Sequence, residues 1–79
     1  MSLGEKIKQR RRQLAFSQEK LAELVSVHSN TIRKWEKGNS SPSAEEVRSL
    51  AEALGVTTAF LYDENDTNNK QPFLKNSAY

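Results

Sequence analysis

Residues 17–38, SQEKLAELVSVHSNTIRKWEKG, hold two short amphipathic helical patterns that meet at a break around Ser26. The first has an inner stripe of Gln18, Leu21, Ala22 and Val25, with Ser17 as N-cap and Glu19 near the positive end of the dipole. The second, over about 28–37, keeps a narrow apolar face of His28, Ile32 and Trp35. It stops at Gly38, a residue that takes the left-handed conformation closing many helices. A helix with so thin an inner stripe rests on a core along one side only, and its other side stays free. Two such helices joined by a short break have the sequence form of a helix-turn-helix.

The rest of the chain supplies the support. Leu3, Ile7 and Leu14 recur at helical spacing, and Ser2 with Glu5 has the form of a capping box, which predicts a helix over about 3–14. Asn39 to Pro42 reads as a loop. Ser43 and Glu46 form a second capping box, opening a helix whose stripe is Val47, Leu50, Ala51 and Leu54 and whose stop is Gly55. Thr57 caps one more short helix containing Phe60 and Leu61, with Val56 packing ahead of it. Five helices and no strand signal give an all-α, compact domain over 1–62. From Asp63 the composition shifts to DENDTNNKQPFLKNSAY. This polar tail over 63–79 is either disordered or docks Phe73 and Leu74 on the domain or on a second subunit. There are no internal repeats.

A chain of 79 residues has room for one core, and with no cysteine it forms neither disulfides nor thiolate metal sites. Helix packing or a partner subunit must hold it together. No run approaches the roughly 18 apolar residues of a membrane span, and no basic-then-apolar leader precedes the first helix, so a soluble, cytoplasmic protein is expected. One histidine, no glycine-rich phosphate loop and no convergent carboxylates leave nothing from which to assemble an enzyme site. Asp63, Asn65 and Asp66 do not make a calcium loop, because no glycine follows at the turning position and Leu74 stands where the closing glutamate belongs. No metal, cofactor or small-molecule ligand is expected.

The net charge of +2 is unevenly divided: residues 1–37 carry nine Lys or Arg against four Glu, and residues 38–79 carry three against six acids. Such asymmetry suits a polyanion, whose condensed counterions are released as phosphates are neutralised. A solvated surface on the first helix explains it equally well, so charge alone does not decide.

Helical angles sort the side chains further. At about 100° per residue, with Ile32 at zero, Trp35 and Glu36 point the same way, whereas Asn30, Lys34 and Lys37 point oppositely and Arg33 lies between. Ser29 flanks the outer face in the first turn, the part of such a helix that enters a DNA groove. Ser29, Asn30 and Lys34 are the candidate base contacts: an Asn amide matches adenine, Lys reaches guanine O6 and N7, and a Ser hydroxyl is permissive. Arg33 and Lys37 are candidate phosphate contacts. Gln18, at the start of its helix, is another, and Arg12 is free for solvent or phosphate. Arg11 lies on the core stripe of the first helix, where a guanidinium requires a partner. Glu36 is the inferred partner, with Arg10 as an alternative donor to it. His28 is read as structural or capping, and Trp35 as core.

Ser17-Gln18, Leu21-Ala22, Ile32, Trp35-Glu36, Gly38, Pro42, Leu50-Ala51 and Leu54-Gly55-Val56 together resemble the phage repressor and Cro type of helix-turn-helix, the XRE family. The match covers about residues 3–62. The resemblance implies a five-helix, repressor-like DNA-binding domain, a homodimer on a palindromic operator, bacterial or phage-encoded and nucleoid-associated, acting as a transcriptional repressor or regulator. It also implies phosphate contact for Gln18, base contacts for Ser29, Asn30 and Lys34, and pairing of Arg11 with Glu36. Two positions depart from the pattern: the family favours Gly where this chain has Ala15 and Ser26.

The leading expectation is therefore a sequence-specific regulator of double-stranded DNA. The alternative is a protein-interaction module, antirepressor-like or antitoxin-like, built on the same fold; an apolar outer face would mark it. Phe60 and Tyr62, with Phe73 and Leu74 of the tail, are candidate dimer contacts that could equally fold back on their own domain.

Overall fold

The computed structural model describes residues 1–63. Five helices follow one another: α1 (Leu3–Gln13), α2 (Gln18–Leu24), α3 (Ser29–Lys37), α4 (Ala44–Leu54) and α5 (Thr58–Tyr62). No strand occurs among the described residues. Both capping boxes form. Glu5 N–H donates to Ser2 Oγ while Ser2 N–H donates to Glu5 Oε1, and Glu46 and Ser43 repeat the exchange at α4. Ser17 and Thr57 cap α2 and α5 by the same hydroxyl-to-amide bond.

The first four helices end alike. Each is followed by one left-handed residue, Ala15 (φ 62°), Ser26 (φ 60°), Gly38 (φ 82°) and Gly55 (φ 69°). In each, the next residue's N–H reaches back five positions: Phe16 to Arg11 O, Val27 to Ala22 O, Asn39 to Lys34 O and Val56 to Ala51 O, at 2.9–3.0 Å. This is the Schellman closure, which satisfies carbonyls the helix itself leaves unpaired. Phe16, Val27 and Val56 also pack against the core, so an apolar side chain anchors three of the four turns. Where the resemblance implies glycine, at positions 15 and 26, the backbone does adopt positive φ, and Ala15 and Ser26 are held there by these bonds and anchors.

His28 departs from expectation. It is the N-cap of α3, exposed, and its side chain makes no capping hydrogen bond. An imidazole lacks the short oxygen that reaches back to the first amides. Only Ile32 and Trp35 of the expected apolar face are buried.

All five helices contribute to one core of Ile7, Leu21, Ala22, Val25, Ile32, Trp35, Val47, Leu50, Ala51, Leu54 and Leu61. α2 and α1 both pack on α3, while α4 and α5 pack on each other and on α1. α1 approaches α3 so closely that a Cβ on Gly4 would lie 2.3 Å from Trp35 O and 2.7 Å from Glu36 O. Only glycine fits there.

Two cations of α1 are spent on helix ends inside the domain. Lys6 is 1% exposed; its Nζ donates to Phe60 O at 2.8 Å and to Asp63 O, and lies 5.2 Å from the Phe60 ring centre. Arg10 donates Nε to Leu54 O at 2.7 Å and so is bound to the end of α4, not to Glu36. Cations at helix C-termini satisfy open carbonyls and oppose the negative end of the dipole. Phe60 is thereby turned to its own domain, half-buried, whereas Tyr62 is 54% exposed. Phe73 and Leu74, with the tail from residue 64 onward, lie outside the described residues.

Ala15→Gly and Ser26→Gly are each expected to raise stability by about 0.5–1 kcal/mol, since both side chains are exposed and only the left-handed strain is removed. Thermal unfolding should show Tm higher by roughly 2–8 °C. Gly4→Ala is expected to lower stability by about 1–3 kcal/mol in the same measurement, because the methyl group meets backbone carbonyls that cannot rotate away.

Candidate nucleic-acid interface

The angle of α3 is set by one buried carboxylate. Arg11 grips Glu36 with two nitrogens, Nε to Oε2 at 2.6 Å and Nη2 to Oε1 at 3.2 Å, while its Nη1 donates to Phe16 O at 2.9 Å. Gln18 Nε2 donates to the same Glu36 Oε1 at 3.1 Å. The side chains of Arg11 and Glu36 are 10% and 3% exposed. Three helices thus meet on one charge: α1 through Arg11, α2 through Gln18 and α3 through Glu36. The fork geometry of guanidinium on carboxylate adds direction to attraction. Sequence angles point to the Arg11 and Glu36 pair, but the Gln18 contact is not readable from them. It depends on how α2 crosses α3.

With Ile32, Trp35 and Glu36 turned inward, the opposite side of α3 is open. Asn30, Arg33, Lys34 and Lys37 are exposed, and Ser29 is half-buried in the first turn. Arg33 Nη1 donates to Asn30 Oδ1 at 3.1 Å. Five candidate residues therefore share this helix. Gln18 stands beside it, half-buried, with its amide nitrogen on Glu36. Arg12 does not join this group. It is exposed along α1, where it lines a shallow recess with Met1, Glu5, Lys8, Gln9 and Gln13, and no residue of α2 or α3 takes part.

The positive charge reaching solvent is smaller than the sequence count suggests. Of the nine cations in residues 1–37, Lys6, Arg10 and Arg11 serve carbonyls and Glu36, leaving Lys8, Arg12, Lys20, Arg33, Lys34 and Lys37 exposed. Three of those six project from α3, with no acidic residue in its first turn. The field is thus concentrated on the open side of one helix. The face is polar and cationic, whereas the exposed large apolar side chains Met1, Leu24 and Tyr62 lie ahead of α1, on α2 and on α5. Among the described residues no group of three or more His, Asp or Glu could hold a metal ion, and no helix is long and apolar enough to cross a membrane.

A protein family described as helix-turn-helix matches residues 7–61. The chain belongs to this family, in its phage-repressor and Cro branch. Among helix-turn-helix relatives, the cryptic phage CTXphi transcriptional repressor RstR of Vibrio cholerae is 38% identical over 63 residues, covering 80% of this chain and 57% of RstR. The P22 c2 repressor, solved in complex with a synthetic operator, superposes with a TM-score of 0.75 at 31% identity, covering 77% of this chain and 92% of that one. SinR of Bacillus subtilis, solved in complex with DNA, superposes with a TM-score of 0.73 at 27% identity, covering 77% of this chain and 98% of that one. The chain spans about half the length of the curated relatives it matches, 45–55% for four of them.

Arg11→Met leaves Glu36 buried with Gln18 as its remaining donor, and is expected to cost about 3–5 kcal/mol. Pairing it with Glu36→Leu is expected to recover much of that loss in urea unfolding, because no stranded charge then remains.

Proposed function

We propose that this domain is a sequence-specific reader of double-stranded DNA in a transcriptional regulator, a repressor that acts as a homodimer on a palindromic operator. The observation that carries this reading is the division of α3: Ile32, Trp35 and Glu36 hold one side, while Asn30, Arg33, Lys34 and Lys37 stand open on the other. A helix presented this way fits the major groove, with its first turn toward the base edges. The P22 c2 repressor bound to a synthetic operator and SinR bound to DNA, both of the same fold, support it.

In this reading Ser29, Asn30 and Lys34 contact bases, and Arg33 and Lys37 contact phosphates. Gln18 commits one hydrogen of its amide nitrogen to Glu36, and the second is available to a phosphate. Arg12, on the recess of α1, would make a peripheral phosphate contact. A two-fold dimer presents two copies of α3 about 34 Å apart, one turn of the duplex. Tyr62 supplies exposed apolar surface for that contact. A protein-docking role would call for an apolar outer face on α3, and this one is amide, guanidinium and ammonium.

Fluorescence anisotropy on an operator selected from random duplexes tests the assignment. Asn30→Ala is expected to weaken binding by about 1–3 kcal/mol and to relax preference at one base pair. Lys37→Ala is expected to weaken all sequences alike and to make the salt dependence shallower by about one ion. Absence of binding at low salt would defeat the DNA reading.

A further inference from the structure

One pair on the open side of α3 is already joined. Arg33 Nη1 donates to Asn30 Oδ1 at 3.1 Å, across the i to i+3 spacing that brings helical side chains together. A guanidinium carries only donors, so the amide must turn its oxygen toward Arg33 and its nitrogen away. This fixes the sense of a group whose two ends are alike in size and opposite in hydrogen bonding.

Resting on the reading of α3 as a groove-facing helix, we propose that Arg33 is a positioning residue for Asn30. By holding Oδ1 it aims Nδ2 outward, and Asn30 meets the base edge as a hydrogen-bond donor. The edges that fit are those presenting an acceptor in the major groove: N7 of either purine, O6 of guanine or O4 of thymine. Cytosine offers an amino donor there, which Nδ2 cannot meet, and is the least favoured base. Both side chains are exposed in the free protein, where water competes for the same atoms. Inside a groove that excludes water the bond strengthens, so the positioning is expressed in the complex. Arg33 thus differs from Lys37, which acts on phosphates through charge alone.

The test is a double-mutant cycle read as base preference. The base pair at which Asn30→Ala loses selectivity is first located on the selected operator. The wild-type chain, Asn30→Ala, Arg33→Ala and the double variant are then titrated by anisotropy against all four versions of that pair. Arg33→Ala is expected to reduce discrimination against cytosine there by about threefold or more, and the double variant to discriminate no less than Asn30→Ala alone. Selectivity at other positions should be unchanged. Equal weakening of all four versions by Arg33→Ala would overturn the inference, as would a wild-type preference for cytosine at that pair or an Asn30→Ala loss confined to no pair. A wild-type chain that binds no duplex at low salt would instead overturn the DNA-binding reading, and this inference with it.

Discussion

Taking a carboxylate out of water is costly, and Glu36 is stable where it sits because donors converge on it from two other helices. Arg11 supplies a two-pronged grip and Gln18 a third hydrogen bond. The remaining Arg11 nitrogen is not left idle, since Phe16 O accepts from it at the turn between α1 and α2. An ion pair of this kind contributes little net stability compared with an apolar packing of the same volume. What it supplies is direction: α3 cannot roll about its axis without separating charges in a dry interior. Every property of the outer face depends on that fixed roll.

Around this point α1 acts as a spine. Gly4 brings its backbone onto the carbonyls of α3, Ile7 enters the core, and Lys6 and Arg10 close the ends of α5 and α4. A domain with so small a core and no disulfide gains from satisfying helix ends by side chains already anchored in the packing. The distribution explains why a strongly basic first half yields only a modest cationic surface.

Features governed by near neighbours in the chain were legible from sequence. Capping boxes depend on residues three apart, and Schellman closures on one left-handed residue, so the helix bounds fall within a residue or so of the pattern. The Arg11 and Glu36 pair was legible because each residue breaks an apolar stripe with a charge. Lys6 carries the same signal, standing three residues after Leu3, but a long basic side chain on a basic helix reads as surface. Gly4 lies on the stripe of Ile7 and Arg11 and is silent because its role is the absence of atoms. His28 misled by position, since a cap residue belongs to no helical face. The partner of Gln18 and the bond between Arg33 and Asn30 depend on crossing angles and rotamers, which periodicity does not encode.

The open side of α3 has a consequence for how such a domain changes over generations. Asn30, Lys34 and Lys37 touch nothing in the core, whereas the residues that set the helix's attitude are sealed beneath it. Substitutions on the outer face therefore carry almost no folding penalty, and substitutions beneath it are purged regardless of target. If that face reads DNA as proposed, a lineage built on this scaffold is free to drift to new recognition sequences one exposed side chain at a time, without passing through an unstable ancestor.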